Sequence, residues 1–272
     1  MNERPRFPAR LASSSLPGSK PAIAIKKVAE SRRPASVNGI NHLKNQAAPP
    51  APAGWGLDSG AVRLRMLQKL AAQGLSSPAV LEAMGAVERH RFVDSGLVNQ
   101  AYEDTSLPIG LGQTISKPSV VARMIELLLG AEGVQDGRLG RVLEIGTGCG
   151  YQAAVLARVA REVYSIERLR GLHDKARENL RPFRLPNVHL LFGDGMAGYA
   201  KGAPYAGIIA AAGGEALPDA WCAQLALGGR LVAPMGMRGG RQALVVIDHT
   251  RHGLKQSVLE DVRFVPLKSG IA

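Results

Sequence analysis

The sequence predicts an α/β protein: a doubly wound, mostly parallel sheet, helices ahead of it, and an antiparallel strand pair at its C-terminal end. Three observations predict it. Residues 142–151, Val-Leu-Glu-Ile-Gly-Thr-Gly-Cys-Gly-Tyr, run an apolar strand into a turn with glycines at alternate positions, and 152–160 is a strong helix former. From residue 141 onward, strand-like and helix-like segments alternate, which is the pattern of a parallel sheet with helices on its faces. The last two strand-like segments, 242–248 and 259–265, have turn residues at 248–253 and no helix between them, so they pair antiparallel.

Taken in order, the chain divides into a tail, 1–57, and a domain, 58–272. Within the domain, 58–130 holds helices and a polar loop, and 131–272 holds the sheet. Asp58 or Ser59 caps a helix over 61–70, and Ser77-Pro78 opens a second over 79–87, with proline at a tolerated first-turn position. Segments 89–93 and 101–109 lead into a glycine-containing loop, 110–116, Gly-Leu-Gly-Gln-Thr-Ile-Ser. Pro118 starts a helix to residue 129, with Val120, Val121, Met124, Ile125 and Leu128 at helical spacing. The alternation follows: strand 141–146 and helix 151–160, strand 162–167 and helix 169–181, strand 187–191, strand 207–211 and helix 217–225, then strand 230–234 after Gly228-Gly229.

A chain of 272 residues can bury a full core. Its net charge of +12 is unevenly spread: residues 1–55 hold nine Lys/Arg against two acidic residues, a net +7. That stretch is also rich in Pro, Ala and Ser, so a disordered basic tail is expected, with 21–30 its one helix candidate. A solvated tail is favoured over an arm that contacts nucleic acid. No apolar run is long enough to span a membrane, and no apolar h-region follows the basic N-terminus, so a cytoplasmic monomer is expected. Cys149 and Cys222 are too few for a disulfide framework, and Cys149 reads as a packing residue in the turn. The six histidines form no i, i+4 pair, so no metal is expected.

The strand–glycine–helix unit lets a ligand approach bare backbone amides, and doubly wound sheets bind ligands at the carboxyl ends of their strands. Glu144, Glu167 and Asp194 fall at three successive strand ends. Glu167, 21 residues beyond Gly146, suits a carboxylate that accepts from both ribose hydroxyls, and Asp194 suits an adenine amino group. A dinucleotide fingerprint would place its third glycine at 151, which is Tyr151, so an adenosine without phosphates fits better than a pyrophosphate. The pattern Glu-x-Gly-x-Gly-x-Gly followed by a ribose acid is that of S-adenosylmethionine-dependent methyltransferases. No Asp/Asn-Pro-Pro-aromatic follows the fourth strand and no Pro-Cys occurs, which removes amino- and cytosine-carbon-methylating enzymes. A carboxylate acceptor, already ionised at pH 7, needs only positioning.

Residues 101–118, Ala-Tyr-Glu-Asp-Thr-Ser-Leu-Pro-Ile-Gly-Leu-Gly-Gln-Thr-Ile-Ser-Lys-Pro, together with 142–157, 163–168, 193–195, 228–236 and 262–267, resemble the protein-L-isoaspartate O-methyltransferase family. The resemblance spans about residues 60 to 268 in family order, and Gln-Thr-Ile-Ser is its specific part. It implies a Rossmann-like methyltransferase sheet, S-adenosyl-L-methionine as cofactor, and S-adenosyl-L-homocysteine as product. It also implies methylation of the isoaspartyl α-carboxylate in damaged proteins and peptides, with repair through a succinimide. By position, Ser116 is the active-site residue that orients the acceptor, and Gln113 and Thr114 close over cofactor and substrate. Gly146, Thr147, Gly148 and Gly150 face the methionine and ribose, Glu167 the ribose, Asp194 with Gly195 the adenine, and Gln242 the cofactor side. Residues 265–267, Val-Pro-Leu, line the peptide groove on the same ground.

The sequence also departs from the family pattern. Ala206 and Ala211 replace polar residues expected near the ligand edge of the sheet, Cys149 replaces a serine, and the basic tail lies outside the pattern. Two rival readings stay open: a non-catalytic nucleic-acid binder that uses the tail, and a methyltransferase for another carboxylate.

Overall fold

The computed structural model describes residues 59–272; the tail, its helix candidate at 21–30 and the Asp58 cap lie outside the described residues. Three helices come first: α1 (Ser59–Ala72), α2 (Pro78–Ala86) and α3 (Pro118–Leu129). Ser77 caps α2 by accepting from the Val80 amide, 3.4 Å, with Pro78 in the first turn. Between α2 and α3 a small hairpin forms, β1 (Leu107–Gly110) with β2 (Gln113–Ile115). The polar loop of the sequence reading is thus a hairpin. Its tip, Gly110-Leu111-Gly112, holds three successive positive φ values (97°, 52° and 69°), which two glycines make accessible.

The domain is then built on strands β3 (Leu139–Ile145), β4 (Ala160–Glu167), β5 (Val188–Phe192), β6 (Tyr205–Ala210), β7 (Leu225–Gly236), β8 (Gln242–Thr250) and β9 (Gly253–Val262). Their order in the sheet is β5-β4-β3-β6-β7-β8-β9. The first five are mutually parallel, and β8 and β9 run antiparallel to their neighbours. Helices α4 (Tyr151–Val159), α5 (Arg170–Leu180) and α6 (Asp219–Ala223) connect them. The direction of winding reverses at β3 and β6, so a crevice opens at the carboxyl ends of those two strands.

Alternation along β3 divides the core. Val142 packs into the cluster shared with α1 to α4, and Leu143 and Ile145 into the cluster around Tyr205 and Trp221 on the opposite face.

Two elements differ from expectation. Helix α6 has only 5 residues because Pro218 keeps Leu217 out of helical backbone and Leu225 already pairs with Tyr205 in β7. Strand β9 starts at Gly253 rather than 259, straight after a two-residue turn, and its exposed edge position explains why its first half lacks an apolar pattern. Residues 263–265 leave the sheet instead: the Phe264 amide donates to Gln242 Oε1, 2.7 Å, and the Gly213 amide to the Val265 carbonyl, 2.9 Å. That detour carries 265–268 across the crevice. No helix among the described residues is long and apolar enough to cross a membrane.

Candidate active site

The end of β3 and the start of α4 form the floor of a cavity of about 210 Å³. Gly146, Thr147 and Gly148 line it, and both glycines have positive φ, 90° and 56°. Gly195 closes another side: a methyl group there would lie 2.6 Å from Ile145 Cγ2, so the chain can pass that strand end only without a side chain. Glu167 is 4 % exposed at the end of β4 and lines the same cavity. Its Oε2 accepts from the Gly148 amide and its Oε1 from the Leu169 amide, each at 2.9 Å. Each oxygen keeps a further lone pair for a ligand.

Beneath this floor runs a buried polar chain. The Thr147 and Ser165 hydroxyls are 2.6 Å apart, and Ser165 donates in turn to Glu144. Burial pushes the Glu144 carboxyl up to about 8; the hydrogen bond from Ser165 and the nearby Gln152 amide oppose that rise and Glu167 adds to it. Glu144 is therefore a neutral acid at pH 7. Cys149 is buried, its thiol pushed up to about 11 by desolvation, so it offers no thiolate.

The β1–β2 hairpin forms the opposite wall with Leu111, Gln113, Thr114 and Ser116. A second, wider groove of about 1130 Å³ runs between α3 and residues 260–265. Thr114, Ser116, Ala211 and Val265 line both spaces. They form the boundary at which the two spaces adjoin. Among the described residues the Ser116 hydroxyl makes no hydrogen bond, while its carbonyl accepts from Arg89 Nη2 at 2.8 Å.

Of the residues singled out from sequence, Gln113, Thr114, Ser116, Gly146, Thr147, Gly148, Glu167 and Gly195 come together in the cavity lining. Gly150, Asp194 and Gln242 do not. Gly150 caps α4 at φ 92°, and a side chain there would press on Leu180 of α5 at 3.0 Å. Asp194 accepts from the amides of Met196, 2.8 Å, and Gly270, 2.6 Å, which ties the C-terminal segment to the end of β5. Gln242 holds the Phe264 amide and so steers residues 265–268 into the wall. Arg89 and Ser165 belong to the site's support and were not singled out from sequence; Glu144, singled out there as a strand-end acid, lies beneath the cavity rather than in its lining. Ser165 in an apolar strand was a legible signal, whereas Arg89 in Glu-Arg-His-Arg reads as solvent-facing charge.

The profile of the protein-L-isoaspartate(D-aspartate) O-methyltransferase family matches residues 62–272. A protein-L-isoaspartate O-methyltransferase of Methylibium petroleiphilum is 65% identical over 221 residues, 80% of this chain and 81% of the relative. One of Leptothrix cholodnii is 58% identical over 241 residues, 88% and 83% of the two chains. The chain belongs to the protein-L-isoaspartate O-methyltransferase family.

A solved protein-L-isoaspartate O-methyltransferase structure superposes with TM-score 0.68 at 28% identity, covering 77% of this chain and 67% of its own. A Plasmodium falciparum structure, described as a putative member in complex with S-adenosyl-L-homocysteine, shares the fold with TM-score 0.65 at 23% identity, covering 76% and 98%. The protein is thus an S-adenosylmethionine-dependent methyltransferase that acts on isoaspartyl residues in protein repair.

One expectation about departures from the family pattern is corrected. Ala211 lines the cavity, but Ala206 lies near the start of β6, at the far end of the strand from the crevice. Its substitution leaves the ligand edge untouched.

Proposed function

We propose that the cavity at Gly146–Gly148 takes S-adenosylmethionine and that the adjoining groove takes the isoaspartyl segment, with Ser116 orienting the acceptor α-carboxylate. The observation that carries this reading is the sharing of Thr114, Ser116, Ala211 and Val265 between the two spaces. The donor set fits an adenosine: bare amides at the glycine turn, one carboxylate with spare acceptor capacity, and apolar walls from Ile166, Leu169 and Leu172. Glu167 would hold the ribose hydroxyls, Gly195 would border the adenine, and Thr147 would face the methionine end. Gly150, Asp194 and Gln242 would act on that space only through the backbone they fix.

When bound, the cofactor supplies an electrophilic methyl sulfonium. The chain's own work is then small. The acceptor carboxylate is ionised at pH 7, so no side chain has to remove a proton. The Ser116 hydroxyl would donate to one carboxylate oxygen and leave the other free to accept the methyl group. Leu111 and residues 265–267 exclude water, which would otherwise solvate the anion. In the released ester the following main-chain amide nitrogen attacks the ester carbonyl and expels methanol, giving a succinimide whose hydrolysis returns part of the residue to normal aspartate. This reading extends to a cytoplasmic monomer, the location being supported by two free cysteines.

Methyl transfer to an isoaspartyl peptide, with the matching aspartyl peptide as control, tests the proposal. Labelling of the isoaspartyl peptide alone is expected, and equal labelling of both, or of neither, refutes it.

A further inference from the structure

Among the described residues Arg89 is the one buried lysine or arginine, at 0 % exposure. Its Nε donates to the Ala101 carbonyl at 2.7 Å and its Nη2 to the Ser116 carbonyl at 2.8 Å. The guanidinium carbon lies 4.8 Å from the centre of the Tyr151 ring, at the first residue of α4. Nη1 and the Tyr151 hydroxyl are both buried, and neither has a hydrogen-bond partner beyond the approach that the two side chains make to each other. None of the ion pairs among the described residues includes Arg89. Asp104, the acid that acts on it from a distance, is exposed and accepts from the Ser119 amide.

Two carbonyls and a ring could be bridged by a neutral donor. An uncompensated buried cation is costly to keep, and its carbonyl contacts do not require the charge. Burial draws its pKa down, yet a guanidinium retains its proton in a protein interior. The group that would balance it is absent from the chain and present in the reaction: an anionic acceptor entering beside Ser116.

We propose that Arg89 is a positioning residue for the acceptor. It fixes Ser116 through the main-chain carbonyl, and its buried charge makes the groove select an anionic carboxyl group over a neutral one. The proposal rests on the placement of the acceptor at Ser116.

The test compares an isoaspartyl peptide with the same peptide carrying a carboxamide in place of the α-carboxyl group, the latter read as a competitive inhibitor. The wild-type enzyme is expected to bind the acid more tightly than the amide. In Arg89→Met the KM for the acid should rise about tenfold and the acid-over-amide preference should shrink to near unity. Cofactor Kd should stay within about twofold, which separates this effect from loss of the fold. Arg89→Lys keeps the charge and should keep most of the preference. An unchanged preference in an Arg89→Met enzyme that binds cofactor normally overturns the proposal. Should that variant fail to bind cofactor, a lost preference in Arg89→Lys overturns it. Ser116→Ala should lower turnover while preserving the preference; normal turnover there would sink the placement at Ser116 and leave the Arg89 result readable by itself.

Discussion

Glu144→Gln isolates the energetic consequence of a carboxyl group buried under the cofactor floor. The side chain is 0 % exposed, and burial raises its pKa from 4.5 to about 8. Between those values the folded state holds a proton that the unfolded chain has released. Folding stability therefore falls as pH rises through this window, is unaffected by Glu144 below it, and levels off above about 8. The rise is about three and a half pH units, each equivalent to about 1.4 kcal/mol, so the whole window is on the order of 5 kcal/mol. Between pH 6 and pH 8 the share is about 3 kcal/mol. Glutamine keeps the acceptor for Ser165 without the titration, so the variant should lose that decline. Urea unfolding at several pH values, analysed as the difference between the two proteins, measures it. Partly buried His90, whose pKa is lowered by desolvation, works in the opposite direction, but both proteins carry it and the difference removes it. Parallel stability curves for wild type and Glu144→Gln from pH 5 to pH 8 would refute the neutral-acid assignment.

Three further substitutions separate the parts of the site. Glu167→Ala removes a carboxylate that already holds the Gly148 and Leu169 amides, and S-adenosylmethionine affinity by calorimetry should weaken by at least about tenfold; unchanged affinity refutes the ribose contact. Ser116→Ala should lower kcat by about tenfold or more with cofactor Kd within about twofold, because the hydroxyl serves the acceptor alone; a large loss of cofactor affinity contradicts that role. Gln242→Ala frees the Phe264 amide and loosens residues 265–268, so the peptide KM should rise a few-fold with cofactor Kd unchanged; a loss confined to cofactor binding would instead place Gln242 in the cavity.

Legibility followed the physics of each element. The parallel strands carried apolar runs, and α2 and α3 carried proline at the first turn, so these boundaries were readable to within a few residues. The first half of β9 was not, because an edge strand exposed on both faces has no burial pattern to betray it. The glycine turn announced a ligand, and Glu167 sat at a spacing that chain geometry dictates. Asp194 looked equivalent by position, but it does not line the cavity and one of its two amide donors, Gly270, comes from 76 residues away, a contact that no local pattern encodes. Arg89 was invisible for a related reason: its partners, Ala101 and Ser116, are backbone carbonyls and leave no residue signature.

The buried polar residues show what these hidden contacts have in common. The set is Arg89, Glu144, Thr147, Gln152, Ser165, Glu167, His173 and Gln224. Thr147, Gln152 and Glu167 line the cavity, Glu144 and Ser165 lie directly beneath it, and Arg89 grips the loop above it. Well-packed apolar side chains at these positions would be expected to give a more stable core. A core assembled for stability would spread such groups or omit them, whereas here most of them converge on one crevice. The glycine turn explains why. Apart from Thr147, whose hydroxyl is engaged with Ser165, its glycines present only amides, so further polar groups have to come from neighbouring elements. Beside the cavity that support is Glu167 with the Glu144–Ser165 pair beneath it, and beside the groove it is Arg89, which holds the Ser116 carbonyl. Thr114, Ser116, Ala211 and Val265 line both spaces, so on the proposed placement they are where a methyl group held in one would reach a carboxylate held in the other.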